Sequence, residues 1–198
     1  MQKITREQWL EKALKELNKR VFKPIDKALD LDKIKISCGF PPNHRAGSKM
    51  KTVGVCFPDT TNGFNEIFIN PCVSKSGDAL SIVAHEGVHA RLNCEHGHGK
   101  PFRDIAIAIG LEGKMTSTHA GENLKAIIKE ITKKIGEYPH EELKVNHKKQ
   151  GTRMLKVHCP TCLMTSGDDY ITYTTNKQIQ KGTTFCPEGH KMKVAVKK

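Results

Sequence analysis

Long apolar runs are missing from this sequence. No segment approaches the roughly 18 consecutive apolar residues that a membrane helix needs, and residues 1–20 lack the apolar core of a secretory signal. We therefore expect an intracellular protein without a membrane partner. No internal repeat is visible either, so repeat architectures are not expected.

The sequence also lacks a regular cysteine framework. Its seven cysteines are odd in number, and only Cys159 and Cys162 stand close together. This pattern is a poor basis for disulfides and better fits reduced thiols with a metal site. Four isolated cysteines are expected inside the fold, Cys56 and Cys94 as small core residues and Cys38 and Cys72 as half-buried ones.

Acidic residues are scarce relative to basic ones. Against 33 Lys and Arg there are 21 Asp and Glu, which gives a formal net charge of +12. Residues 144–198 hold eleven basic and three acidic residues, a net charge of +8 and so two thirds of the whole excess. Such a surplus favours an anionic partner, and nucleic acid is the usual one.

Hydrophobic periodicity predicts a mixed α+β fold for the first part of the chain. Thr5 and Gln8 form a capping box, and apolar residues then recur at helical spacing, so a helix is expected over 5–22. A helix of about 15 residues is expected to be capped by Ser76 or Asp78. Three strands and two further helices are predicted, at 33–37, 52–57 and 65–70 and at 100–111 and 122–136.

A change in composition near Pro139 divides the chain. Residues 140–152 are polar and basic, as in a linker, and residues 153–198 have few long apolar runs but contain short strand-like pieces. The predicted organisation is a domain over 1–139, a linker over 140–152 and a small domain over 153–198.

The segment HEGVH, residues 85–89, has the spacing of a metal site. Two histidines four residues apart on a helix project from one face and can bind a single ion. Zinc held by three protein ligands keeps a position for a water of lowered pKa. Glu86 stands where a carboxylate could take a proton from that water, so His85 and His89 are predicted zinc ligands and Glu86 the catalytic base.

A third ligand must come from the next element, and both His96 and His98 are candidates. His98 lies between Gly97 and Gly99, which allow a sharp turn, and directly precedes the helix predicted from Lys100. His96 follows the first helix more closely and is expected to face solvent. The spacing favours His98.

The short C-terminal segment carries a second set of zinc-ligand residues. Cys159 and Cys162 have the spacing of a zinc knuckle, and Cys186 with His190 offers a second pair. His158 is the alternative fourth ligand. A structural zinc at this site would explain how so apolar-poor a segment folds.

These motifs together resemble the SprT-like metalloproteases, the group that includes the Spartan proteases. HEGVH, followed after eight residues by His98 within GHGKPF, is similar to the motif of that family, in which the third ligand maps onto His98 and a packing aromatic onto Phe102. The resemblance extends over most of residues 5–190, to phage and bacterial members with a C-terminal zinc ribbon. It is carried further by four segments: SCGFPPNHRAGSK, NEIFINP, IGLEGKMTST and KKQGTRMLKV.

Two positions depart from the family pattern. Gly87 stands where the family usually has a bulkier residue, although glycine inside a helix costs about 1 kcal/mol relative to alanine. Glu188 and Gly189 stand where the ribbon normally carries a further cysteine. Nothing in the sequence accounts for Gly87.

The resemblance implies a zincin-like core, with helices packed on a small three-stranded sheet, followed by a β zinc ribbon. It further implies an endopeptidase with one catalytic and one structural zinc, acting in DNA repair on proteins bound or crosslinked to DNA. The enzyme would then work near the nucleoid or in an infected host cell. The strand NEIFIN is expected at the edge of the sheet, where it would align the substrate. Phosphate contacts are expected from Lys148, Lys149, Arg153, Lys156, Lys191 and Lys193.

Other interpretations remain open at this point. Peptide deformylases combine HExxH with an upstream cysteine, a place that Cys72 could take, but the spacing is short and their glycine-rich segment is missing. Met115 or His119 could approach the metal, although a core methionine and a surface histidine are the ordinary roles. The chain could also be a nucleic-acid-binding factor, for instance in transcription, whose metal centre is structural.

Overall fold

The structure, a computed structural model, describes residues 4–41, 52–59, 63–139, 141–143, 154–182 and 184–195. The chain divides into two compact units, Met1–Asn146 and His147–Lys198. The division falls within 140–152, and each unit has its own sheets and its own buried core. None of the helices in the described ranges combines the length and the apolar character that crossing a membrane requires.

The first unit begins with the predicted amphipathic helix, α1, at Arg6–Leu17. The capping box is present: the Gln8 N–H donates to Thr5 Oγ1 at 3.2 Å, and the Thr5 N–H donates to Gln8 Oε1 at 3.0 Å. The helix continues as a π-helical turn over Asn18–Phe22, and its inner face is fully buried at Trp9. Trp9 Nε1 donates to the carbonyl of Gly136 at 2.9 Å, which ties this helix to the end of α4 (Glu122–Ile135).

The three predicted strands form one mixed sheet. They are β1 (Ile34–Cys38), β2 (Gly54–Phe57) and β3 (Asn65–Ile69), in the order β1-β3-β2. Strand β3 pairs parallel with β1 and antiparallel with β2. The expectation that NEIFIN lies at the edge is therefore wrong, because both sides of β3 are already hydrogen-bonded. Over the described residues, β2 is the outer strand on the antiparallel side of this sheet.

Helix α2, Ser76–Arg91, carries the HEGVH motif and is buried along most of its length. It contacts α1, α3 (Lys100–Ala108) and α4 as well as β2 and β3. The predicted side-chain cap is absent, since Lys75 is the N-cap residue and makes no such bond. Ser76 instead begins the helix, accepting from the Tyr138 N–H at 2.8 Å and donating to the Glu137 carboxylate.

Gly87 has a physical explanation in this packing. A Cβ atom at that position would lie 3.0 Å from Phe22 Cζ and 3.5 Å from Leu29 Cδ1. Phe22 is fully buried, so its ring has little room to move away. The missing side chain lets the turn after α1 pack directly on the motif helix.

A hairpin between α3 and α4 completes the first unit. Strands β4 (Leu111–Lys114) and β5 (Ser117–Ala120) pair antiparallel, with Leu111 opposite Ala120. The segment carries no strong alternation of apolar and polar residues, and the sequence did not predict these strands.

The second unit is a three-stranded sheet with two short helices. Strands β6 (Leu155–His158), β7 (Ile171–Thr174) and β8 (Lys193–Val194) lie in the order β7-β6-β8. Helix α5 (Pro160–Thr165) follows β6 and α6 (Asn176–Lys181) follows β7; neither helix was predicted. Among the residues described in this unit, five form the buried apolar core: Val157, Cys159, Cys162, Cys186 and Met192. The mixed α+β class predicted from the sequence is confirmed by the two units together.

Candidate metal centres

The first unit brings three histidine side chains together at one point. The Nε2 atom of His98 lies 3.3 Å from Nε2 of His85 and 3.2 Å from Nε2 of His89. Two nitrogens bound to one tetrahedral zinc at about 2.05 Å would stand about 3.3 Å apart. The separations agree with that value, so the cluster could hold a metal ion.

The turn after α2 places His98 and leaves out His96. Backbone φ is positive at Asn93, Cys94 and Gly97, and the Gly99 N–H donates to the His96 carbonyl at 3.0 Å. These bends turn the chain back toward the helix before α3 begins. Both side chains are exposed, but only His98 joins the cluster. The geometry therefore favours the same candidate as the spacing.

Phe102 on α3 packs against all three histidine rings. Its ring centroid lies 4.4 Å from that of His89, 4.9 Å from His85 and 5.0 Å from His98. The phenyl ring is fully buried and forms an apolar floor beneath the cluster. The resemblance assigned this residue as a packing aromatic, and the structure gives it that contact.

The surroundings keep the imidazoles neutral. Burial, reinforced by the charges of His89 and His98, lowers the pKa of His85 to about 3. Burial and the charge of His98 lower the pKa of His89 to about 4, and burial lowers the pKa of His98 as well. A neutral imidazole is the form that donates a lone pair to a metal ion, so the electrostatics fit a metal site at pH 7.

Glu86 lies next to the cluster and is only 5% exposed. Burial, with the charge of Cys94 in addition, raises the pKa of its carboxyl to about 8. Both Glu86 and the three histidines line a cavity of about 750 Å³, bounded by β2 on one side and by the β4–β5 hairpin on another. At that pKa the carboxyl is mostly protonated at pH 7. The positive charge of a metal ion at the histidines would lower the pKa and favour the ionised form, which is the form that accepts a proton.

Gly54 at the start of β2 makes the close approach to Glu86 possible. A Cβ atom there would lie 2.7 Å from Glu86 Oε1 and 2.5 Å from Ile82 Cγ2. Any larger residue at this position would displace the carboxylate. The sequence contained no signal for this role, because it depends on a strand and a helix meeting in space.

The remaining cysteines are not ligands of this cluster. Cys56 and Cys94 are half-buried rather than core residues, and both line the cavity, with Cys94 Sγ donating to the Cys56 carbonyl at 3.5 Å. Cys38 and Cys72 are half-buried as expected. Cys72 donates to the Leu143 carbonyl at 3.3 Å and does not join the histidines, so the geometry gives the deformylase interpretation no support.

The other two residues considered near the metal take their ordinary places. Met115 is partly buried against the main core. His119 is exposed and lines a different cavity, beside α4. Neither belongs to the histidine cluster.

The second unit holds a cluster of three cysteines and one histidine: Cys159, Cys162, Cys186 and His190. Cys162 Sγ lies 3.6 Å from Cys186 Sγ and 3.2 Å from His190 Nδ1. The geometry brings in His190, whereas His158 lies on β6 with its Nδ1 3.6 Å from Asp169. This cluster could also hold a metal ion.

Two tight turns build this cluster. Cys159 is the N-cap residue of α5 and its sulfur accepts from the Cys162 N–H at 3.4 Å. On the other side the Cys186 sulfur accepts from the His190 N–H at 3.3 Å, and Gly189 has a positive φ of 77°. A glycine therefore suits the position where the family pattern has a further cysteine.

Three of the six lysines and arginines predicted to contact nucleic acid can be placed. Lys156 lies opposite the exposed Tyr173, and Lys193 lies opposite His158 on the other neighbouring strand. Alternation along β6 puts Lys156 and His158 on the face opposite the buried Val157. Lys191 pairs with Phe185 in an isolated bridge. The other three lie outside the described residues: Lys148, Lys149 and Arg153.

Comparison of the chain with protein-family models, with curated proteins and with solved structures finds no match. The resemblance to SprT-like proteases accordingly stays a prediction. The fold brings the three histidines of the first unit close together, and likewise the three cysteines and His190 of the second unit.

Proposed function

We propose that the first unit is a zinc-dependent endopeptidase of the SprT-like type with a zincin core. His85, His89 and His98 would hold the catalytic zinc, and Glu86 would be the catalytic base. The observation that carries this proposal is the convergence of three neutral imidazoles, with His98 Nε2 3.2 Å from that of His89 and 3.3 Å from that of His85, beside a buried carboxyl group in one cavity. A purely structural metal site has no use for such a carboxylate.

The residues of the cavity have distinct tasks in peptide hydrolysis. Zinc would supply a Lewis acid that lowers the pKa of water and polarises the carbonyl of the substrate. Glu86 accepts one proton as a water oxygen adds to that carbonyl carbon. It then delivers the proton to the amine nitrogen as the C–N bond breaks, which leaves Glu86 ionised for the next cycle.

The free edge of β2 supports a polypeptide as the substrate. Residues Thr52 to Cys56 line the cavity that contains Glu86, and within the described ranges β2 is paired on one side only. An extended peptide can add to such an edge through main-chain hydrogen bonds, which carry little sequence preference. Strand β2 therefore takes the aligning role that the sequence had assigned to NEIFIN.

For the second unit we propose a structural zinc in the cluster of three cysteines and His190, and a DNA-binding surface on its sheet. Lys156 on the central strand lies beside the exposed Tyr173 of β7, and Lys193 of β8 lies on the same face, opposite His158. Lysines neutralise phosphates, and an exposed aromatic ring can stack on an unpaired base. By resemblance to the Spartan proteases, the substrates would be proteins bound or crosslinked to DNA.

A cleavage assay tests this proposal against the nucleic-acid-binding alternative. A DNA-binding protein is incubated with the purified chain, with and without single-stranded DNA and with and without a zinc chelator. We expect DNA-stimulated cleavage that the chelator abolishes and that Glu86→Gln lacks. DNA binding without any cleavage in the zinc-loaded wild type would favour a factor with a structural metal centre.

A further inference from the structure

The β4–β5 hairpin reaches the histidine cluster through one hydroxyl group. Thr118 Oγ1 on β5 lies 2.8 Å from Nδ1 of His85, the ring nitrogen that faces away from the other two histidines. Over the described ranges, no hydrogen bond reaches the corresponding nitrogen of His89 or His98. Those two rings depend on the packing of Phe102 instead.

The core of the first unit holds this hydroxyl in place. Alternation along β5 puts Thr118 on the same side as Ala120, whereas Ser117 and His119 are exposed. Ala120 and its partner across the ladder, Leu111, are both buried in the core. The Gly121 N–H donates to the Gly110 carbonyl at 2.9 Å and closes the base of the hairpin. Thr118 is thus attached to a rigid element two residues from the core.

We propose that Thr118 is a positioning residue for the metal ligand His85. With Nε2 turned into the cluster as a lone-pair donor, the ring proton resides on Nδ1, and that N–H donates to Thr118 Oγ1. The bond fixes both the tautomer and the rotation of the ring, so Nε2 is aimed before a metal ion arrives. The inference rests on the proposed function only in that His85 is taken to hold the zinc.

The test compares three variants of the full chain. Thr118→Val keeps the shape of the side chain and removes the hydroxyl, Thr118→Ser keeps the hydroxyl, and Ser117→Ala alters the exposed neighbour that also borders the cavity. Each protein is loaded with zinc and titrated with a chromogenic chelator. The zinc of the cysteine-rich cluster in the second unit serves as an internal reference.

We expect Thr118→Val to weaken the histidine-held zinc by about 10- to 100-fold, the range found when the hydrogen-bond partner of a metal-bound histidine is lost. Thr118→Ser should stay near the wild-type affinity, and Ser117→Ala should equal it. Wild-type affinity in Thr118→Val, or equal losses in the valine and serine variants, would overturn the proposal.

Circular dichroism of the metal-free proteins shows whether the hairpin remains packed. Should Thr118→Val lower the unfolding midpoint, Thr118→Ala against Thr118→Ser gives the same comparison without added bulk. A wild type that binds two zinc ions and hydrolyses no protein would contradict the endopeptidase proposal and leave this role of Thr118 standing.

Discussion

The two candidate metal sites differ in what surrounds them. The histidine cluster sits on α2 and the turn that follows it, α2 is packed on a continuous apolar core, and Phe102 of that core lies against the rings. In the second unit the cluster is itself most of the core, since three of the five buried apolar residues described there are its cysteines. The comparison teaches that a metal ion can serve chemistry in a domain that folds without it. A metal ion can also provide the stability that a short segment cannot obtain from an apolar core.

The largest expected effect is on the chemistry of the first site alone. Glu86→Gln should retain zinc at both sites and the fold of both units, while hydrolysis falls by about 10²- to 10⁴-fold, because an amide cannot accept the proton. Peptide cleavage and zinc content are measured on the same preparation. Loss of zinc, or near-normal activity, would show that Glu86 has another role.

The next effect breaks the second unit. Cys159→Ser should unfold it locally, because Val157 and Met192 are the only non-cysteine members of its core among the described residues. Zinc content should fall from about two to about one per chain. DNA affinity should fall with a shallower dependence on salt, because fewer phosphates are neutralised.

Two controls show which unit the change has reached. Cleavage of a short free peptide should be nearly unchanged in Cys159→Ser, whereas cleavage of a DNA-bound protein should suffer. Unaltered DNA binding with an unaltered salt slope would mean that the positive charge of the tail is only a solvated surface.

A matched pair of histidine variants tests whether the first unit stays folded when its metal binding is weakened. His98→Ala should weaken its zinc by more than about 100-fold, beyond the loss expected for a residue that only supports a ligand. His96→Ala, two residues away and exposed, is the control and should bind zinc normally. Circular dichroism should show the first unit still folded in both variants, unlike the second unit in Cys159→Ser. Equal zinc losses in the two would contradict the choice of His98.

The smallest effect concerns the scaffold beneath the first site. Gly87→Ala gains helix propensity but presses on the buried ring of Phe22, so we expect a net loss of about 1 kcal/mol in the free energy of unfolding. Denaturant unfolding measures it, and zinc binding should be unaffected. Phe22→Leu in the same chain should recover part of the loss. A stabilised Gly87→Ala would show that the ring can move.

The members of both candidate metal clusters could be predicted from the sequence, because ligand spacing is a local property. Local sequence is enough to recognise HEGVH on a helix, the glycines around His98 and the knuckle at Cys159. The order of the strands cannot be recognised in this way. The prediction that NEIFIN lies at the edge was wrong because no local pattern distinguishes a central strand from an outer one. Thr118 and Gly54 were missed for the same reason, since each matters only through a helix that it meets in space.

The contact between Gly87 and Phe22 has a consequence for the history of this fold. Position 87 lies inside the HEGVH segment and position 22 lies 65 residues earlier, yet side chains at the two positions would occupy the same volume. Among relatives the two should change together, a bulkier residue in the motif accompanying a smaller one at the end of the first helix. During evolution, a larger side chain at one of the two positions could then have been accompanied by a smaller one at the other, without any change at the candidate metal ligands.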